Sequence, residues 1–275
     1  MAATAALALQ GDNGVLKTRI ISAIAMAPPA LLAAWVGGYA FAALVAVAAG
    51  LMCWEWHSMI AREFALSGRV AAAGCFVAVI LTLSAPMAAV ALLVLAALGA
   101  AATACPGNNG RSWAGFGLLY IGLPSVALVW LREDPATGSA MIWWLLLMVW
   151  ATDIGAYAFG RMIGGPLLLP AVSPKKTWAG LVGGMICAAL TGLGVASVFE
   201  LTSLVQVALI SALGAVVAQI GDLFESWVKR RSDVKDSSNI IPGHGGVLDR
   251  VDGLLSAALV VAAVTLVSGR TVLAW

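Results

Sequence analysis

The chain has 275 residues, 62% hydrophobic and 10% charged, with a formal net charge of +2 and a mean hydropathy of +0.99. A soluble domain carries about 25% charged residues, so composition excludes one and indicates an integral membrane protein. The apolar runs are continuous rather than alternating, which selects helices over a β-barrel. Cys53, Cys75, Cys105 and Cys187 stand singly within or beside those runs and read as small packing residues, not as a disulfide framework or zinc site. Thirty glycines suit close helix contacts in lipid.

No basic residue precedes Lys17, unlike a cleaved signal peptide. Residues 1–18 therefore read as an N-terminal cytoplasmic or interfacial segment, and 19–275 as a single multi-span domain. A span takes about 20 mostly apolar residues. The expected architecture is an all-α polytopic bundle of about nine transmembrane helices, at 20–36, 38–56, 70–84, 87–105, 113–131, 139–160, 178–199, 203–228 and 249–269. With the N-terminus cytoplasmic, 13 of the 15 Lys and Arg fall on one side, and only Arg132 and Arg270 on the other, as the positive-inside rule requires.

Within the first five spans, Pro28, Pro29 and Pro124 mark kinks or breaks. Trp54, Trp56, Trp113, Trp130, Trp143, Trp178, Trp227 and Trp275 sit near span ends as interfacial anchors. Glu55, His57, Arg62 and Glu63 read as a solvated cytoplasmic turn.

From residue 150 to 255 the cytoplasmic ends become polar at specific positions, and the chemistry is expected there. Asp153, Tyr157 and Arg161 recur every four residues and so line one helical face, either as a structural Asp153–Arg161 pair or as the wall of a wet cavity. Ser173, Pro174, Lys175, Lys176 and Thr177 read as an N-cap and first turn opening the seventh span, with both lysines aimed at one place. That is either an anion site suited to phosphate or a positive-inside anchor. The stretch 222–252 holds 6 of the 13 acidic and 5 of the 15 basic residues. On the eighth span Asp222, Ser226, Lys229 and Arg230 share a face; the turn 242–246 brings the chain back, and Asp249 and Asp252 open the ninth. Asp222 and Asp249 are expected to meet at the cytoplasmic surface, a carboxylate pair suited to Mg²⁺.

The run Ser226-x-Val228-Lys229-Arg230-x4-Lys235-Asp236-x-Ser238-x2-Ile241-Pro242-x-His244-Gly245-Gly246-Val247-x-Asp249-Arg250-Val251-Asp252 resembles the signature of the phosphatidate cytidylyltransferase (CDP-diacylglycerol synthase) family, with no departure over 27 positions. Also similar are Asp153-x3-Tyr157-x2-Gly160-Arg161, Ser173-Pro174-Lys175-Lys176-Thr177, Gln219-x-Gly221-Asp222 and Leu16-Lys17-Thr18-Arg19-Ile20. The likeness is close in the C-terminal half, whereas spans two to five match as generic membrane sequence.

The resemblance implies that CTP and phosphatidic acid, a membrane lipid, give CDP-diacylglycerol and pyrophosphate, in a homodimer of the bacterial-type inner membrane with its site on the cytoplasmic side. Asp222 and Asp249 are then expected to bind Mg²⁺, with a second cation allowed for, and Lys175, Lys176, Lys229, Arg230 and Arg250 to neutralise the phosphates. Asp153 and Asp252 would support or orient the nucleotide, with Tyr157, Arg161, Ser173, Thr177 and Lys235 among the substrate-binding residues. Ser226 either contacts phosphate or caps locally, and His244 is structural or touches phosphate in its glycine turn. No nucleic-acid partner is expected. Two other readings compete: a CTP-dependent lipid kinase of the dolichol or phytol type, and a transporter using Asp153 and Asp222.

Overall fold

The computed structural model describes residues 22, 24–104, 110–201 and 203–274. The N-terminal segment with its Leu16-Lys17-Thr18-Arg19-Ile20 stretch, Cys105 and Trp275 lie outside the described residues.

Among the described residues nine apolar helices follow one another: α1 (Ile24–Val36), α2 (Gly38–Ala61), α3 (Leu66–Leu81), α4 (Pro86–Thr103), α5 (Gly110–Arg132), α6 (Gly138–Ile163), α7 (Trp178–Val198), α8 (Leu204–Arg231) and α9 (Leu248–Ser268). Seven are long and apolar enough to cross a membrane; α1 and α3 are shorter. This is a multi-pass helical membrane protein, and most helix limits fall within a few residues of those expected. The 16 residues of α3 rise about 24 Å, less than the roughly 30 Å of a hydrocarbon core.

The tight connections are real. Gly37 and Gly38 take φ of 70° and 52°, a region that glycine enters without a Cβ penalty, so α1 turns directly into α2. Arg132 holds this corner from the end of α5: its Nε donates to the Ala34 carbonyl at 3.0 Å and its Nη2 to Trp35 at 2.9 Å. Those carbonyls belong to the last turn of α1 and lack helical partners. Pro28, Pro29 and Pro124 break nothing, since α1 and α5 run through them.

Small residues set the helix spacing. Gly155 of α6 lies against Gly183 and Cys187 of α7, and Gly160 against Gly180, so the two backbones approach closely. Cys53 and Cys75 join α2 to α3 with sulfurs 3.5 Å apart and remain free thiols.

One departure from pure helix matters for function. Ser173–Thr177 is not the start of α7 but a strand, β2, paired antiparallel with β1 (Leu167–Leu169) in the register Leu167 to Thr177 and Leu169 to Ser173. The cap of α7 is Thr177, whose Oγ accepts from the Gly180 N–H at 3.0 Å. Ser-Pro is a good local helix opener, but the partner strand supplied by residues 167–169 takes those backbone groups first. The register is irregular between the two strand pairs, and the two lysines differ in placement: Lys176 is partly buried against Asp222, whereas Lys175 is exposed.

Candidate active site

The polar residues singled out in the sequence lie at one end of the bundle: the C-terminal ends of α2, α6 and α8, the β1–β2 hairpin, and the N-terminus of α9. Arg132, the last residue of α5, and the segment bearing Arg270, just after α9, belong to the opposite end.

At the centre is Asp222, which pairs with the Lys176 ammonium from β2 and accepts from Ser226 Oγ at 3.3 Å. Asp222, Glu225 and Asp252 each offer a carboxylate oxygen, and the three lie within 4.8 Å of one another. Asp153, from α6, lies in the electrostatic field of Asp222, Lys176 and Arg250. Four separate elements therefore converge on one patch.

Asp249 is held beside this group rather than within it. Lys229 donates to Asp249 Oδ1 and to Glu225 Oε2, both at 2.7 Å. The other oxygen, Oδ2, accepts from Ser237 N (2.9 Å), Ser237 Oγ (3.0 Å) and Gly246 N (2.8 Å). Asp222 and Asp249 thus sit at one end of the bundle, joined through Glu225 and Lys229, while Glu225 and Asp252 bring carboxylate oxygens within 4.8 Å of Asp222. Glu225 carries a further signal: its side chain is 0% exposed and its Oε1 has no hydrogen-bond partner among the described residues. A buried oxygen without a partner calls for a ligand. Carboxylate oxygens, with no Cys or His among them, fit a hard cation such as Mg²⁺. The spacing of Glu225, three residues after Asp222 and four before Lys229, placed it on their face in the sequence.

The remaining residues flank this core. Arg161 donates to the Tyr157 hydroxyl at 3.3 Å, and both side chains are exposed, as is Asp153. The pairing described for Arg161 is therefore with Tyr157, not Asp153. Lys175, Arg230, Lys235 and Arg250 are exposed, so their charges remain available to an anion. His244 sits in the turn closed by the Ile241–Gly245 bridge, its N–H on the Ile241 carbonyl at 2.9 Å and its Nδ1 without a partner among the described residues.

Aromatic side chains of α2, α5 and α8 form a wall beside the cluster. Tyr120 and Phe224 have centroids 5.1 Å apart, Phe224 and Trp227 6.0 Å, and the Arg231 guanidinium lies 5.6 Å from the Trp113 centroid. Trp56 is no interfacial anchor: it is 0% exposed and its Nε1 donates to the Trp113 carbonyl at 3.0 Å.

Nor do Glu55 and His57 belong to a solvated turn, although Arg62 and Glu63 beyond the end of α2 are exposed. Glu55 and His57 are 0% and 3% exposed. Both Glu55 oxygens receive hydrogen bonds from the α8–α9 loop and the start of α9, namely Ser238 Oγ (2.8 Å) and Val247 N (2.7 Å) on Oε1, Ser237 Oγ (3.2 Å) and Leu248 N (2.7 Å) on Oε2. Arg62 adds a 3.3 Å contact to the Ser232 carbonyl. A carboxylate between two tryptophans inside an apolar run was the available sequence signal.

Carboxylates set among lysines and arginines at one end of a bundle of membrane-spanning helices make a site suited to an anionic ligand and a hard cation. Residues 17–268 match the family described as the cytidylyltransferase family, and the chain belongs to it. It is 43% identical over 245 residues to the phosphatidate cytidylyltransferase of Brucella suis biovar 1 (strain 1330), covering 88% of this chain and 90% of that one. It is 37% identical over 270 residues to the protein of that name from Pseudomonas aeruginosa, covering 93% and 98%. To the one from Staphylococcus saprophyticus it is 40% identical over 143 residues, 52% of this chain and 55% of that one.

Proposed function

We propose that this chain is a phosphatidate cytidylyltransferase, making CDP-diacylglycerol and pyrophosphate from CTP and phosphatidic acid. The observation that carries the reading is the meeting of Lys176 with Asp222 inside the Asp222, Glu225 and Asp252 cluster, in a chain so like proteins of that name.

Both reactants are anionic near neutral pH, so repulsion is the main obstacle, and positioning and charge neutralisation are the main means of catalysis. An oxygen of the lipid phosphate attacks the α-phosphorus of CTP. The new bond forms there as the bond to the bridging oxygen breaks, and pyrophosphate leaves with that electron pair. The nucleophile is already ionised, so no general base is needed.

Asp222, with Glu225 and Asp252 beside it and Asp249 next in line, would hold Mg²⁺, which when bound neutralises polyphosphate charge. A second cation has the same carboxylates to draw on. Lys176, Lys175, Arg230 and Arg250 neutralise the triphosphate and the departing pyrophosphate. Lys229 keeps Glu225 and Asp249 compensated until phosphate competes for its ammonium. Asp153, Tyr157, Arg161, Ser173, Thr177, Ser226, Lys235 and His244 line the substrate side.

The described Lys and Arg other than Arg132 and Arg270 gather at the site end, which supports a cytoplasmic site by the positive-inside rule. The bacterial relatives support an inner-membrane location. A homodimer is a separate proposal, read by light scattering in detergent.

The test is CTP labelled at the α-phosphate, incubated with purified protein, phosphatidic acid and Mg²⁺. Label in the lipid and release of pyrophosphate are expected. Label remaining in CDP would mean a lipid kinase instead, and no turnover of CTP would reject both.

A further inference from the structure

Glu55 is a fully buried carboxylate with no cationic partner among the described ion pairs. Such a group is costly unless hydrogen-bonded, and here the four donors from Ser237, Ser238, Val247 and Leu248 offset that cost. Two of them are the N–H groups that open α9. A helix start needs an acceptor for its free N–H groups, yet the N-cap residue of α9 is Val247, which makes no side-chain cap. The cap comes instead from α2, nearly two hundred residues earlier in the chain.

Ser237 ties this cap to the cluster. Its Oγ lies 3.2 Å from Glu55 Oε2 and 3.0 Å from Asp249 Oδ2. One hydroxyl has one proton, so the two carboxylates share it, and displacing Glu55 alters what Asp249 accepts. Asp249 stands in the first turn of the helix that Glu55 caps. Gly246 leaves the necessary space, since a Cβ there would meet Glu55 Oε1 at 2.5 Å and collide with Ser237 Oγ.

We propose that Glu55 is a positioning residue for the transfer reaction: it fixes the first turn of α9 and, through Ser237, sets the direction of Asp249. This rests on the reading of Asp249 as part of the reacting site.

The test uses full-length protein in detergent with three readouts: amide hydrogen exchange over residues 237–250, the thermal shift produced by Mg²⁺, and pyrophosphate release as a function of Mg²⁺. Glu55→Gln keeps the shape but turns an NH₂ toward donors, leaving at least one unpaired. Expected are faster exchange at Val247 and Leu248, a smaller Mg²⁺-dependent thermal shift, and a loss of activity on the order of 10- to 100-fold with a raised Mg²⁺ requirement. The KM for phosphatidic acid should stay within about twofold, because substrate-binding groups are untouched.

Ser237→Ala cuts the bridge while leaving the Val247 and Leu248 amides on Glu55. It should raise the Mg²⁺ requirement without changing exchange at those two amides, and it decides the matter alone if Glu55→Gln does not fold. A lowered unfolding temperature with an unaltered Mg²⁺ response, in whichever of the variants fold, overturns the proposal. Absence of pyrophosphate release by the unsubstituted protein strikes the functional reading instead, while exchange and thermal shift still decide whether Glu55 orders Asp249.

Discussion

Lys229 of α8 and Asp249 of α9 meet at 2.7 Å, and the same ammonium reaches Glu225 at 2.7 Å. One lysine therefore joins the two helices and compensates two carboxylates, with side-chain exposures of 12% for the lysine, 0% for Glu225 and 5% for Asp249. Removing one partner of a buried ion pair costs about 3–5 kcal/mol, because the other charge is left uncompensated. Lys229→Met should lower the unfolding temperature markedly and abolish pyrophosphate release. Adding Glu225→Gln should restore part of the stability and none of the activity; recovery of turnover in the double variant would refute a phosphate role for Lys229.

Lys176 pairs with Asp222 from a strand, whereas Lys175 beside it is exposed. Lys176→Ala is expected to reduce kcat/KM on the order of 10²–10³-fold, the loss typical of removing one stabilising donor. Lys175→Ala should cost much less. Equal losses in a steady-state comparison of the two would contradict the different placement of the two lysines.

Asp222→Asn should remove Mg²⁺-dependent pyrophosphate release and also the stabilisation that Mg²⁺ confers in a thermal scan. A variant that still turns over CTP and is still stabilised by the ion would overturn the metal role of Asp222.

Gly245 has a φ of +82°, and a Cβ there would sit 2.7 Å from Asp249 Oδ2. Gly245→Ala therefore strains the backbone by about 1–3 kcal/mol and pushes on Asp249. Activity should fall more than stability does. Thermal unfolding and turnover measured on one preparation separate the two effects.

Arg132→Ala is the complementary case. The substitution removes two charged hydrogen bonds to α1 at the end far from the site, an effect of about 1.5–3 kcal/mol for each at most. The unfolding temperature should drop while kcat/KM remains that of the unsubstituted protein. Loss of specific activity at constant folded fraction would show that the two ends are coupled.

Much of this site could be read from residue spacing. Asp222, Ser226 and Lys229 share one helical face because a helix brings residues three and four apart together, and Ser226 reaches Asp222. Glu225 obeyed the same rule. Glu55 did not show its role, because its partners lie at 237–248 and no local pattern connects them to α2. The Ser-Pro opening of 173–177 was misleading for a related reason: its strand partner at 167–169 outweighed a local helix preference.

By itself, then, the sequence determined the membrane class, the helical spans and the acidic and basic residues available for chemistry. Hydropathy and helical periodicity are local properties, carried by about 20 residues at a time. Tertiary structure alone decided that Glu55 caps α9, that Lys229 lies between Glu225 and Asp249, and that Lys176 rather than Lys175 reaches Asp222. Each of these joins residues from different elements, and a buried charge takes whichever partner packing brings within hydrogen-bonding distance.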